Sequence, residues 1–331
     1  MLNSKLQLST KIFADDVPQE PIRSGFGSGL VHAGERSTAI VALCADLTES
    51  TKMLAFKERF PERYIEVGVA EQNLVTVASG LAASGKIPFV SSYAMFSPGR
   101  NWEQIRTTIA YNDRPVIVVG SHAGVSVGPD GGTHQAIEDI ALMRVIPNMI
   151  VISPCDSVQA ERATEALAKF GKPAYLRLAR EKTPVMTTER TPFDIGKAQV
   201  FFSPDGLAHV GIIATGALVH RALLVAKNLE KKGIRVKVLN MHTIKPLDTE
   251  AVLLLAKETR ALVTIEEHQK AGGLGSVVSE YLSEILPTTV LRIGVDDKFG
   301  QSGKPNELLD HYGMSIEKIT ATVIQALNSK K

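Results

Sequence analysis

Five short apolar runs punctuate the first half of the chain: STAIVALCADL (37–47), YIEVGV (64–69), IPFVSSYAMF (87–96), RPVIVVGSH (114–122) and NMIVISPCD (148–156). Helical segments such as 70–84 and 101–111 fall between them. A strand that is apolar throughout must be covered on both faces, the condition of a mainly parallel sheet with helices on either side. The second half repeats this grammar in HVGIIATG, a helix ALVHRALLVAKNLEKKG closed by Gly233, RVKVLNMHTI, a helix DTEAVLLLAKETR, ALVTIEEH, a helix after GGLGS, and TTVLRIGV. The expected class is therefore α/β, with two doubly wound units and no detectable sequence repeat between them. Pro, Thr and charged residues in EKTPVMTTERTPFDIGKA (181–198) suggest a surface linker. The division reads as an N-terminal arm (1–22) able to lie against a partner, a first domain (23–190) and a second (191–331).

Other classes of function are disfavoured by charge and hydropathy. Lys and Arg number 37 against 35 Asp and Glu, a net charge of +2, so nothing general draws the chain to nucleic acid or a membrane surface. No apolar run reaches the length of a membrane span, and the N-terminus lacks the apolar core of a secretion signal. Cys44 and Cys155 are the two cysteines, without metal-ligand spacing, which points to a reducing compartment and by default the cytoplasm.

Chemistry concentrates after the strands. In YIEVGVAEQNL an apolar run breaks at Gly68 and places Glu71 at the start of a helix with small, uncharged neighbours. A carboxyl group there is expected to be dry and suited to sharing a proton; for Glu71 taken alone, an acid favoured by the helix dipole is the preferred account. The loop SHAGVSVGPDGGTHQ (121–135) carries His122, Asp130 and His134 among glycines at 124, 128, 131 and 132 that permit close approach of a ligand. No further Cys or His stands by to complete a metal site there. Tyr93 and Phe96 could pack an aromatic ring or simply the core. Arg23, Ser50 and Arg180 stand at element ends where each could hold a phosphate or face solvent. The glycine strings ATG (214–216) and AGGLGS (271–276) do not fit the spaced dinucleotide fingerprint and read as helix–strand packing.

EVGVAEQN, SSYAMF, PDGGTHQAIEDIALMRVIPNM, SPCD, EEHQKAGGLGS and RIGVDDKFGQSGKPNELLDHYG occur in that order and together resemble the C-terminal half of transketolase from about residue 20 onward. The resemblance implies a domain that binds the aminopyrimidine of thiamine diphosphate, followed by a transketolase C-terminal domain without a direct cofactor role. It would make Glu71 the acid that hydrogen-bonds the pyrimidine ring nitrogen, with Phe96 and Tyr93 enclosing the ring. His122, Asp130 and His134 would contact sugar hydroxyls, the two histidines assisting proton transfers. Arg23, Ser50 and Arg180 would hold the sugar phosphate. The GDG motif that supplies magnesium ligands in complete transketolases does not occur here. The implied partner is a separate N-terminal subunit carrying that GDG-type diphosphate and Mg2+ site, in a heterotetramer acting on sugar phosphates. Deoxyxylulose-phosphate synthase and the beta subunit of 2-oxoacid dehydrogenases share the domain pair. A non-catalytic partner of a thiamine enzyme is the rival from another class.

Overall fold

The structure is a computed structural model that describes residues 1–329. Strands in the first half are β1 (Gln19–Pro21), β2 (Ile40–Cys44), β3 (Tyr64–Glu66), β4 (Ile87–Tyr93), β5 (Ile117–Ser121), β6 (Ile150–Ile152), β7 (Ala174–Arg177) and β8 (Lys182–Pro184). Those in the second half are β9 (Gln199–Phe202), β10 (Val210–Ala214), β11 (Val236–Asn240), β12 (Thr243–Lys245), β13 (Ala261–Gln269) and β14 (Thr289–Val295). A seven-stranded sheet runs β12-β6-β7-β5-β4-β2-β3 and a five-stranded sheet runs β14-β13-β10-β11-β9. Each is parallel except for one antiparallel edge strand, β12 in the first and β9 in the second.

The apolar runs behave as expected of doubly covered strands: every residue of β2, β5 and β10 is buried. On one face of the first sheet, the helices Ile22–Arg36 and Ser157–Phe170 pack backbone to backbone. A side chain at Gly25 would put its Cβ 1.7 Å from the carbonyl oxygen of Ser157 and one at Gly29 2.8 Å from that of Glu161, so these two glycines are a packing requirement there. That contact fixes the start of the first helix, and with it Arg23.

Three segments depart from expectation. The N-terminal arm packs on its own chain: Leu2 to Phe13 line the second domain and Gln19–Pro21 pair with β8, while much of its outer surface stays exposed. Ile12 is buried in its core, Phe13 meets Phe202 edge-on at 6.4 Å, and the Asn3 amide donates to the carbonyl of Phe201. The stretch 181–198 is a strap, not a loose linker: β8 pairs antiparallel with β1, and buried Asp156 accepts from the amides of Met186 and Thr187 and from the Thr187 hydroxyl. RVKVLNMHTI, expected as one strand, is two. After β11 the chain turns at Met241 and His242, and β12 crosses to pair with β6 in the other sheet. The glycines of 271–276 serve packing as expected, because buried Glu266 on β13 accepts from the amides of Leu274 and Gly275 where a Cβ at Gly273 would collide with it.

Candidate functional site

Parallel strands leave their loops together at one end of the sheet. The turn after β3 delivers Glu71; β4 ends in Tyr93 and runs into Phe96; β5 ends in Ser121 and His122; Arg180 follows β7. Gly68 in the first of these turns has φ of 70°, with no neighbour near its Cβ position, so its role is backbone conformation. His122 also takes positive φ, 58°, at the mouth of the Gly-rich loop.

All nine residues singled out from the sequence come to this end of the sheet, in two connected groups. The first is aromatic and acidic. Tyr93 stacks on His122 with centroids 3.9 Å apart and lies nearly parallel to Phe96 at 6.1 Å, while His134 meets the Phe96 ring edge-on at 5.3 Å. Glu71 is buried at the N-terminus of the helix Glu71–Ala83. Its carboxylate accepts from Arg100 Nη1 at 3.1 and 3.0 Å, and the Arg100 guanidinium carbon lies 4.4 Å from the Phe96 centroid. Buried Asn101 donates to the Glu71 carbonyl at 2.8 Å and to Ser97 Oγ at 3.1 Å, tying the two turns together.

The second group is cationic. Arg23 Nε donates to the carbonyl of Arg180 at 3.2 Å and its Nη1 to the carbonyl of Ser50. Arg180 Nη1 donates to the Val127 carbonyl at 2.7 Å and lies 3.5 Å from Glu181 and 3.8 Å from Asp130, acids that partly offset the two guanidiniums. Between the groups sits His122, buried, with Nδ1 2.9 Å from Ser121 Oγ. Burial first, and then the charges of Arg23, Arg180 and His134, push its pKa down to about 3, so its imidazole is neutral at physiological pH. A neutral ring can accept a hydrogen bond, though the same shift makes it a weak base.

The Gly-rich loop is set from the other domain. Glu267 on β13 accepts from the Ser126 amide at 2.5 Å, and a Cβ at Gly124 would stand 2.3 Å from that carboxylate. Gln135 donates to the Gln301 carbonyl at 3.0 Å, and Gly132 faces the Gly300 carbonyl too closely for a side chain. Sequence reasoning passed over Arg100, Asn101 and Glu267. Arg100 and Asn101 directly follow the aromatic segment in SPGRN, which was the available signal; a contact such as Glu267 to Ser126, 141 positions apart, leaves no local trace.

The donors present suit the pyrimidine end of the coenzyme that the resemblance implies. A buried carboxylate beside a ring face can take one nitrogenous edge and one aromatic plane. They do not suit a diphosphate–metal end. Among the described residues, the group of His, Cys, Asp and Glu side chains close enough to share an ion is His32, Glu161 and Glu165. Its His32 lies nine residues beyond Arg23 on the same helix, about 14 Å along the axis, its two glutamates are on the helix Ser157–Phe170, and Arg36 already pairs with Glu165 at 2.9 Å.

Comparison with known proteins agrees with this architecture. Residues 20–186 match the model of the transketolase pyrimidine binding domain and residues 206–319 that of the transketolase C-terminal domain. The chain belongs to the transketolase family and corresponds to its C-terminal half. It is 41% identical to a putative transketolase C-terminal section of Methanocaldococcus jannaschii, covering 93% of this chain and 97% of that one. A 6-deoxy-6-sulfo-D-fructose transketolase subunit of Clostridium is 39% identical, over 93% and 95% of the two chains. The structure of a split gene transketolase in an inactive beta4 tetramer superimposes with a TM-score of 0.87 at 42% identity, covering 94% of this chain and 99% of that one. No helix among the described residues is long and apolar enough to cross a membrane.

Proposed function

We propose that this chain is the C-terminal subunit of a split transketolase that transfers a two-carbon ketol unit from a ketose phosphate to an aldose phosphate. The observation that carries the reading is the continuous arrangement from buried Glu71, across the rings of Phe96, Tyr93 and His122, to the Arg23–Arg180 pair. An acid, an aromatic wall, a neutral base and a cationic end follow one another in the order a coenzyme ring and an anionic sugar would need. In the proposed partition, 23–190 is the pyrimidine-binding domain and 191–331 the C-terminal domain, with 1–22 an arm.

When bound, thiamine diphosphate supplies the electron sink for carbon–carbon cleavage and ligation. Glu71 holds the pyrimidine ring nitrogen, and Phe96 and Tyr93 wall the ring from water. His122, neutral and desolvated, accepts the hydrogen bond of a sugar hydroxyl, with His134 and Asp130 holding neighbouring hydroxyls. Arg23 and Arg180 receive the anionic tail, with Ser50 beside them, and guanidiniums suit such a group because their planar N–H edges match its oxygens. The magnesium ion and diphosphate are held by an N-terminal partner subunit bearing a GDG motif, the two chains forming a heterotetramer. Both cysteines are unpaired and buried, in keeping with a reducing compartment, and we place the enzyme in the cytoplasm.

A sulfonate tail would meet the same guanidiniums as a phosphate, and one relative is named for a sulfo sugar. The deciding assay therefore mixes the chain with a GDG-bearing subunit, thiamine diphosphate and magnesium, and measures ketol transfer with both sugar phosphates and 6-deoxy-6-sulfo-D-fructose. Activity of the mixture alone is expected. Full activity from this chain by itself, or none from the mixture, overturns the split-subunit reading; a coenzyme-loaded but inactive mixture favours a regulatory partner.

A further inference from the structure

The two surfaces assigned to the coenzyme ring already have an occupant. One nitrogen of Arg100 bridges both oxygens of Glu71 at 3.1 and 3.0 Å, and the same guanidinium lies over Phe96 at 4.4 Å. A planar cation with N–H edges on a carboxylate and a π-face on an arene presents the contacts that an aminopyrimidine would make. A donor bridging two carboxylate oxygens takes the lone pairs that face each other, so a ring nitrogen sharing a proton with the carboxylate there competes with that donor.

The pair is asymmetric in how readily its members can move. Glu71 has 5% of its side chain exposed and stands on a helix whose first carbonyl is pinned by Asn101. Arg100 has 51% of its side chain exposed, and Glu71 is the side-chain acceptor of its ion pair. Glu71 is therefore the fixed partner and the guanidinium the displaceable one. Withdrawal returns the guanidinium to water at modest cost, while buried Glu71 needs a replacement partner, which the coenzyme ring would supply.

We infer that Arg100 is an intramolecular competitor for the pyrimidine subsite, holding Glu71 and the Phe96 face until the coenzyme ring displaces it, and so setting coenzyme affinity. The inference rests on the proposed thiamine diphosphate site. Its consequence is that removing a cation from this site improves binding.

The test is titration of magnesium–thiamine diphosphate into the complex of full chain and GDG-bearing subunit, by calorimetry and by stopped-flow fluorescence. Wild type, Arg100→Ala and Arg100→Gln are compared, with magnesium pyrophosphate as a probe of the diphosphate end alone. Arg100→Ala is expected to bind the coenzyme about 5- to 10-fold more tightly, with faster association, the range set by a part-exposed charged hydrogen bond. Pyrophosphate affinity should be unchanged, and Arg100→Gln, which can still bond Glu71, should fall between. Unchanged or weaker coenzyme binding by Arg100→Ala overturns the inference, since it would make Arg100 a support for Glu71. Equal tightening of pyrophosphate also overturns it. Failure of the wild-type complex to bind coenzyme removes the proposed function and this inference together, whereas wild-type binding with an indifferent Arg100→Ala removes this inference alone.

Discussion

Replacing Arg177 with methionine should loosen the join between the two domains and the loop that carries His134. Arg177 ends β7, fully enclosed, and donates Nε to Asp139 Oδ2 at 2.7 Å. Its Nη2 donates to the Glu267 carbonyl on β13 at 2.8 Å and to the Ala136 carbonyl at 3.3 Å. Tyr175 adds a hydroxyl donor to the same Asp139 oxygen at 2.7 Å, while Oδ1 has no partner. Methionine roughly fills the stem's volume but leaves a buried carboxylate with the tyrosine alone and takes the side-chain donor from the Glu267 carbonyl, while the Ala136 carbonyl keeps the Gly124 amide. Removing one member of a buried pair costs about 3–5 kcal/mol, because the charge left behind is uncompensated. Arg177→Met with Asp139→Leu removes that charge as well and should lose less than the single variant, a non-additivity expected of neighbours in one network. Urea unfolding of the full chain, followed by the fluorescence of Trp102, the one tryptophan, reads the first domain directly. A loss below about 1 kcal/mol for Arg177→Met, or a double variant as unstable as the sum of the singles, would refute the reasoning.

Glu71→Ala should abolish coenzyme-dependent turnover of the assembled enzyme while preserving fold; undiminished turnover would remove Glu71 from its role. Protonation of His122, held at about 3 mainly by burial, should be invisible between pH 8 and 5 in histidine-resolved NMR. The unfolded chain binds that proton first, from about pH 6.5 downward, so this residue's contribution to stability falls with acid through that window, and a native midpoint near 6.5 would contradict the burial argument. Glu266 has the opposite sign: burial raises its pKa from 4.5 to about 7, so the folded state keeps a proton that the unfolded state releases, and stability falls as pH rises from 4.5 to 7. Glu266→Gln should flatten that slope in thermal melts, and parallel wild-type and variant curves would exclude the assignment. Gly120→Ala would place a Cβ 2.2 Å from the Tyr175 hydroxyl and should cost about 1–3 kcal/mol by overpacking; a melt matching wild type would show that Tyr175 moves freely.

Each run 37–47, 64–69, 87–96, 114–122 and 148–156 contains a strand of the first sheet, legible in β2 and β5 because burial on both faces demands apolar residues, whereas the edge strand β3 is only half-buried and exposes Glu66. Placement of the candidate side chains at strand ends followed from topology, since parallel strands gather their C-terminal loops. What escaped was non-local. Nothing in the composition of 1–22 indicates that Ile12 would find the core of a domain that begins much later in the chain. The break between β11 and β12 depends on which sheet has an open edge, and that edge belongs to β6, far away in sequence. Arg100 reads locally as a surface cation, and becomes informative when Glu71 is set against it by a different turn.

The migration of β12 from one half to the other has a practical meaning for any attempt to divide this polypeptide. Scission near residue 190 would strip β6 of its neighbour and leave a raw lateral margin of amide and carbonyl groups, the kind of surface that recruits stray chains into aggregates. Three residues, Thr243–Lys245, thus act as a selvedge, and a viable fission point would have to leave them stitched to the weave they finish.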